Sequence, residues 1–209
     1  MRRLSRRFSN TTHPVLERSS KCDELEALLD AEEEVPDEAV VARLFDKLTG
    51  SAWVRVKHDK ADQAMKMIGI NWLTRKAALH APMQITWERS DLVVTLSLSM
   101  GSFLSLPSTQ YIVGDKKPVT VAALGRVSDA RIVSKNGEII VQSKCYMSKA
   151  AHEAGEIAYE TVARWKFSED GNDLFYEELT RLTPGEIGKR ANKGAMNARV
   201  ASRTVCRKK

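Results

Sequence analysis

From Pro82 to its last residue, the chain is a succession of short apolar segments separated by turn residues. Within each segment apolar and polar residues alternate, which is the period of a β-strand with one buried face. Asn136-Gly137, between two such segments, is a residue pair that favours a two-residue hairpin turn. So many short strands would leave unpaired edges in an open sheet, and closure into a barrel removes those edges. The sequence therefore predicts an all-β fold, a ten-stranded antiparallel up-and-down barrel with strands at Trp53–Lys57, Gln84–Trp87, Leu92–Ser99, Gln110–Val113, Pro118–Ala123, Ala130–Val133, Glu138–Ser143, Ile157–Lys166, Leu174–Leu182 and Ala198–Cys206.

A helical segment separates the first strand from the second. Residues Asp59–His80 have apolar residues at helical spacing, but Ile68-Gly69-Ile70-Asn71 breaks the segment in its middle. Glycine and asparagine at such a position interrupt a helix. We therefore expect a helix–turn–helix of two short helices that caps the barrel.

The charge distribution sets the N-terminal part of the chain apart from the rest. Residues 1–20 contain five Arg and one Glu, whereas residues 21–52 contain ten acidic and three basic residues, and the whole chain carries a net charge of +6. This asymmetry predicts a basic disordered tail (1–20) and an acidic helical extension (21–48) before a barrel domain (49–209). The extension is expected to form helices at Cys22–Glu34 and Asp37–Leu48. Two short helices cannot bury their apolar faces alone, so they should pack onto the barrel.

The tail also contains a repeated motif. Arg2-Arg3-Leu4-Ser5 and Arg6-Arg7-Phe8-Ser9 both have the pattern Arg-Arg-x-Ser, which basophilic kinases favour, so Ser5 and Ser9 are candidate phosphorylation sites. An Arg-rich and Ser-rich segment with few acids is also typical of a mitochondrial transit peptide. A cytoplasmic location is the first prediction, and a mitochondrial one is the alternative.

Composition and spacing argue against several classes of protein. No run approaches the roughly 20 apolar residues of a membrane-spanning helix. The three cysteines share no CxxC spacing, which disfavours a disulfide framework or a cysteine zinc site and indicates a reducing compartment. The four histidines are far apart, and neither a GxSxG motif nor a phosphate-binding glycine loop is present. We therefore expect no catalytic residue, no metal ligand and no cofactor.

From about Leu48 to Lys209 the chain resembles the intracellular lipid-binding proteins, the fatty-acid- and retinoid-binding barrels of the calycin superfamily. Three longer loops, around Ser102–Thr109, Ser148–Gly155 and Thr183–Asn197, and Asn71 in place of a glycine make the chain a remote member. The resemblance is carried by Gly50-Ser-Ala-Trp53 in the first strand, Met67-Ile-Gly-Ile-Asn-Trp-Leu-Thr-Arg75 between the lid helices, Ala81-Pro82, Tyr111-Ile-Val-Gly114, Gly125-Arg126, Arg131-Ile-Val133 and the Asn136-Gly137 hairpin.

The resemblance implies a ligand site inside the barrel. The family holds a ligand carboxylate with two inward arginines and a tyrosine on late strands, and these positions correspond to Arg164, Arg203 and Val205, the last in place of the tyrosine. A slip of one residue in register would instead turn these side chains outward, and Trp165 competes with Arg164 for the inward face. Ile68, Ile70 and Trp72, at the break between the lid helices, are the expected portal for ligand entry.

The resulting expectation is non-catalytic binding and intracellular transport of a hydrophobic ligand, a fatty acid, by a monomer that contacts anionic membranes transiently and binds no nucleic acid. One alternative is a calycin-like barrel that binds haem or another planar cofactor, for which His80 is a candidate ligand. The other is a barrel filled by its own side chains, whose basic surface binds nucleic acid or membrane. That surface would comprise Lys189, Arg190, Lys193, Arg199, Arg203, Arg207, Lys208 and Lys209.

Overall fold

The computed structural model describes residues 21–29, 38–101, 104–105, 108–113, 115, 117–123, 125–135, 138–186 and 199–209. The predictions for the tail at 1–20, including Ser5 and Ser9, lie outside these residues. The same holds for the Asn136-Gly137 turn and for the loop basic residues Lys189, Arg190 and Lys193.

In the described part of the chain, eleven strands form one sheet. Two helices precede the first strand, two lie between the first and second strands, and one lies between the eighth and ninth. The helices are α1 (21–26), α2 (Glu38–Leu48), α3 (Ala61–Met67), α4 (Trp72–His80) and α5 (Lys149–Glu153). The strands are β1 (Ala52–Asp59), β2 (Met83–Ser90), β3 (Val93–Met100), β4 (Leu104–Ser105), β5 (Thr109–Ile112), β6 (Val119–Ala123), β7 (Arg126–Lys135), β8 (Glu138–Tyr146), β9 (Tyr159–Phe167), β10 (Asp173–Leu182) and β11 (Arg199–Lys208).

The strand order is that of a nearly closed meander. Strands run β4-β3-β2-β1-β11-β10-β9-β8-β7-β6, so the first strand pairs with the last one, and β5 also pairs with β3. Both β4 and β5 pair with β3 at successive stretches, Ser99–Met100 and Val93–Leu96, and together occupy one strand position. The ladders within the sheet are antiparallel. The predicted ten-stranded antiparallel barrel with a helix–turn–helix lid is confirmed.

The break between the lid helices has a local cause. Gly69 has a φ of 85°, a left-handed conformation that glycine adopts easily and that cannot continue the right-handed helix α3. Two residues later the side chain of Asn71 accepts a hydrogen bond from the Thr74 N–H at 2.9 Å and caps α4. These two residues stop one helix and start the next within a single turn.

The end of the barrel far from the lid is filled by aromatic side chains and closed by α2. Trp53 and Trp87 are almost fully buried there, and Trp87 lies 5.3 Å from Trp165 in an edge-to-face arrangement. Phe45 of α2 packs at 5.7 Å from Trp87, and Leu48 joins the same core. This end of the barrel is the floor.

Helix α1 packs on the outside of the barrel wall. Leu25 is fully buried against a cluster of outward apolar side chains. Both parts of the extension thus contact the barrel, as expected, although they bind different surfaces of it. The outward apolar cluster beneath α1 comprises Val133, Ile140, Val162, Leu179 and Ala201.

A strand start and a loop are among the local expectations that differ from the structure. Strand β7 begins at Arg126, four residues before the predicted Ala130, because the residues from Arg126 continue the ladder with β6. The loop expected around Ser148–Gly155 contains α5, whose N-terminus is capped by the Ser148 hydroxyl, which accepts a hydrogen bond from Ala151 N–H at 3.1 Å. A short capped helix lacks the extended apolar pattern on which recognition from sequence depends.

Candidate functional site

The interior between lid and floor is lined by small and aliphatic side chains. In the layer next to the lid, Met67 of α3 packs on Tyr159 and Leu182 of the barrel wall. Deeper in the barrel, Thr161 of β9 lies opposite Ser143 of β8. Strand alternation turns these two side chains inward, since Tyr159 and Cys145 beside them face the interior cluster. This middle section is the lumen.

Side chains in the lumen keep accessible surface although their strands lie inside the sheet. Ser143, Thr161 and Ser202 are each half-buried, and the backbones of β9 and β10 pair with a strand on either side. The floor below them is made of buried aromatic and aliphatic side chains, whereas these three lumen residues are small and keep accessible surface.

A carboxyl group points into this lumen. Glu178 lies between Ala163 of β9 and Ser202 of β11, and its carboxyl oxygens accept hydrogen bonds from the Tyr176 hydroxyl and, at 3.3 Å, from the Thr180 hydroxyl. Burial raises the pKa of Glu178 above its usual value, and the two hydrogen bonds oppose this shift only in part. The raised pKa favours the neutral form of this carboxyl group.

Arg126 ties the lid to the barrel wall. Its guanidinium donates to the backbone oxygen of Ile68 at 2.9 Å and to the Tyr159 hydroxyl at 3.3 Å. Ile68 follows the last residue of α3, so this bond satisfies a carbonyl at the C-terminal end of that helix. A lid that opened at this point would have to break the Arg126 bond.

Two further arginines hold the lid hairpin together. Arg55 of β1 donates to the backbone oxygens of Ala78 at 2.8 Å and Leu79 at 2.9 Å, at the end of α4. Arg75 of α4 forms an ion pair with Asp62 of α3 at 2.9 Å and donates to the Ile70 oxygen at 2.8 Å. The hydrogen bond to Arg75 lowers the pKa of Asp62. The two lid helices are thus linked to each other and anchored to the first strand.

The three residues expected at the portal lie at the lid break but differ in exposure. Ile68 packs against the interior cluster beneath α3 and Ile70 is half-buried, whereas Trp72 is 64% exposed and Leu73 beside it is 71% exposed. Trp72 is therefore not a core residue of the hairpin. The role of the three residues in ligand entry stays a prediction.

The structure contradicts the expected carboxylate site, because Arg164, Arg203 and Val205 point away from the lumen. Trp165 takes the inward position on β9 and packs on Tyr176 at 4.5 Å, so Arg164 next to it faces outward. Arg203 and Val205 lie on the outer face of β11, where the Arg203 guanidinium stacks on Phe175 at 4.1 Å. The physical reason is the two-residue period of a strand, by which one inward aromatic residue turns its neighbours outward.

On the outer wall, Arg164 and Glu177 form a buried ion-pair network with α1. Arg164 donates to Glu177 at 2.9 Å and to Glu24 at 2.6 Å, and Lys21 also binds Glu177. Burial alone would raise the pKa of Glu177, but the bonds from Lys21 and Arg164 outweigh it and lower that pKa. Arg203 is near the same carboxylate, 3.5 Å from its Oε1. These residues therefore hold the acidic helix on the barrel.

Two further arginines of β11 meet carboxylates in the same way. Arg199 pairs with Asp23 at 2.9 Å and also with Glu26, and Arg207 pairs with Asp173 at 2.9 Å. Lys208 and Lys209, at the end of the strand, are exposed. The nucleic-acid alternative stays a prediction.

Neither a metal site nor a haem ligand emerges from the described residues. His80 lies exposed at the end of α4, on the outer side of the lid. No three His, Cys, Asp or Glu side chains come together there in an arrangement that could hold a metal ion. In the same part of the chain, none of the helices combines the length and apolar character needed to cross a membrane.

Sequence reasoning overlooked Glu178 and Arg126 as interior residues. A signal for the first was present, because Glu177 and Glu178 are adjacent on one strand and must therefore face opposite sides of the sheet. Leu174, Leu182 and Glu178 share a side, which places this carboxyl with the interior apolar residues. The role of Arg126 depends on its contact with Ile68, 58 residues away in sequence, which no local pattern indicates.

The fold matches those of solved fatty-acid-binding proteins. A fatty-acid-binding protein from brain tissue of Drosophila melanogaster aligns with 77% of this chain and 98% of its own at 15% identity, with a TM-score of 0.54. Lipid binding protein 8 of Caenorhabditis elegans aligns with 78% and 96% at 14% identity and a TM-score of 0.56. A Schistosoma mansoni fatty-acid-binding protein in complex with arachidonic acid aligns with 78% and 96% at 12% identity and a TM-score of 0.54.

No protein-family model matches the sequence, and no curated protein matches it significantly. The fold expected from the resemblance to the intracellular lipid-binding proteins is confirmed, at sequence identities of 14% and 15% to two of these structures.

Proposed function

We propose that this protein binds a long-chain hydrophobic small molecule inside the barrel, without catalysis, and carries it between membranes. The observation that supports this most is a lumen with half-buried, mostly small side chains between an aromatic floor and a two-helix lid. Solved neighbours of the same fold are fatty-acid-binding proteins, one of them in complex with arachidonic acid. Burial of an alkyl chain there would contribute about 0.8 kcal/mol per CH₂ group.

Release of such a ligand requires the lid to move. The lid lacks a disulfide and is held to the β7 wall by the Arg126 bond to Ile68. We propose Ile68, Ile70 and Trp72 as the portal. The hydrogen bond from Arg126 to the Ile68 oxygen would break when a ligand passes. Arg55 anchors the opposite end of α4 and so keeps the hairpin attached.

The exposed apolar pair at the portal suggests where the protein meets a membrane. Trp72 and Leu73 are adjacent at the start of α4, and large side chains as exposed as these favour a membrane or protein surface. Indole rings prefer the membrane interface. We propose that this corner of the lid touches the bilayer during transfer.

Cellular location and oligomeric state belong to the same proposal. Three free cysteines suit a reducing compartment such as the cytoplasm, and two of them are buried. A monomer remains our expectation.

The test is to fill the lumen with a side chain. Thr161→Phe, inward on β9, should lower the affinity for a fluorescent C18 alkyl probe about tenfold or more, since the ring occupies the ligand space. Thr95→Phe, outward on β3 beside the fully buried Val94, is the matched control and should bind as the wild type does. Circular dichroism and thermal melting establish that both variants fold. Equal affinity in the two folded variants would contradict binding in the lumen.

A second measurement identifies the natural ligand class. Native mass spectrometry of the purified protein should show a co-purified lipid mass that is lost on delipidation. Thr161→Phe should carry less of this lipid than Thr95→Phe does.

A further inference from the structure

The polar groups of the lumen suggest the class of ligand, an inference that rests on the proposed function. The middle of the lumen contains the Glu178 carboxyl and the Tyr176 and Thr180 hydroxyls, all on β10. Below them, the indole N–H groups of Trp87 and Trp165 are buried and lack a hydrogen-bond partner among the described residues. Buried donors without acceptors are costly and are rare in folded proteins.

Glu178 supplies a further donor. As the neutral acid it carries one O–H, and in both of its described hydrogen bonds the carboxyl oxygens accept. The O–H is therefore available to an oxygen atom in the lumen. Ala163 and Ser202, its partners across the neighbouring ladders, are small and leave room for such an atom.

A carboxylate would be poorly matched to the same place. Arg164 and Arg203, the arginines expected to neutralise it, lie on the outer wall. The guanidiniums of Arg55 and Arg126 are bound to backbone oxygens of the lid. An anion in the middle of the lumen would thus be desolvated beside an acid, while the interior guanidinium of Arg126 is already bound to the Ile68 oxygen and the Tyr159 hydroxyl.

We propose that the lumen binds an uncharged long-chain lipid, whose hydroxyl or carbonyl oxygen accepts a hydrogen bond from Glu178, in preference to a fatty-acid carboxylate. The alkyl chain lies against the aliphatic wall and the aromatic floor. The unpartnered indole N–H groups of Trp87 and Trp165 lie below this chain, enclosed in the floor. Alcohols, aldehydes and monoacylglycerols share this chemistry.

The experiment compares ligands with one C18 chain and different ends. Oleyl alcohol, oleate and 1-octadecene compete with a fluorescent alkyl probe for the full-length protein at neutral pH. We expect oleyl alcohol to bind about tenfold more tightly than oleate, and Glu178→Leu to remove about tenfold of the alcohol affinity while leaving octadecene unchanged. Glu178→Gln keeps a donor and should stay close to wild type. The same substitution in the exposed β9–β10 turn, Glu169→Leu, is the control.

The outcomes separate this inference from the function on which it rests. Tighter binding of oleate than of the alcohol, or an alcohol affinity that ignores Glu178→Leu in a folded variant, overturns the neutral-lipid assignment and leaves lipid binding in place. Failure of all three ligands to displace the probe overturns both. A preference for the alcohol that Glu178→Leu abolishes and Glu178→Gln retains supports the assignment.

Discussion

Replacing Arg164 by methionine tests whether its guanidinium lies on the outer wall or in the lumen. The side chains of Arg164 and Glu177 are both only 6% exposed and their atoms meet at 2.9 Å. Removing one member of a buried ion pair typically costs about 3–5 kcal/mol, because the other charge is left without its partner. Glu177 keeps Lys21 and has Arg203 nearby, so we expect the lower end, about 3 kcal/mol.

Urea unfolding at neutral pH measures this loss, and thermal melting should show a fall of roughly 6–12 °C for a chain of this size. Replacing Glu177 as well, in Arg164→Met with Glu177→Leu, should recover most of it, because no buried unpaired carboxylate then remains and Glu24, which also loses Arg164, is more than half exposed. Arg207→Met, at an exposed ion pair, is the control and should leave stability unchanged within error.

The pH dependence of the same variant follows from the lowered pKa of Glu177. A carboxyl whose pKa is lower in the folded chain stabilises the fold above roughly pH 4.3, the usual glutamate value, and this contribution is lost as the pH falls through the folded pKa. Arg164→Met should therefore lose less stability than wild type on acidification. An apo protein that becomes more stable while its lipid affinity falls would refute the outward placement.

Three other outcomes are expected. Arg126→Met should speed lipid exchange between protein and vesicles several-fold with little change in equilibrium affinity, because the bond to Ile68 restrains the lid; unchanged exchange in a stopped-flow transfer assay would contradict the role of this bond. Cys22 should react first with a thiol reagent in the native protein, since burial raises the pKa of Cys145 to about 12 and that of Cys206 to about 11; equal labelling of all three would mean that the barrel opens readily. Glu24→Gln should raise Cys22 labelling at constant neutral pH, because the charge-assisted hydrogen bond from Arg164 that lowers the pKa of Glu24 and holds α1 on the wall is then weakened; labelling unchanged from wild type would argue against an electrostatic attachment of α1.

The charge asymmetry acquires a structural meaning in the outer wall. The acidic residues of α1 bind arginines of three different strands, with Arg181 of β10 joined to Glu26 at 3.1 Å in addition to the pairs of Arg164 and Arg199. Leu25 lies buried beneath them. Acidic residues of the extension thus pair with arginines of the barrel wall.

The strand pattern, the Asn136-Gly137 signal and the lid break at Gly69 and Asn71 determined the barrel and its cap, because each depends on neighbours a few residues apart. The ladder of β7 and β8 ends at the pair Lys135 and Glu138. Local patterns of this kind are read reliably from the sequence.

Which side chains of each strand point into the barrel was decided only by the tertiary structure. A two-residue period leaves two choices for Arg164 and Trp165, and the closely packed aromatic floor selects the inward tryptophan. The same choice places Glu178 in the lumen and Glu177 beneath α1. Since one residue of register exchanges the interior and exterior of a whole strand, the ligand site depends on packing across the barrel, which the order of residues does not by itself specify.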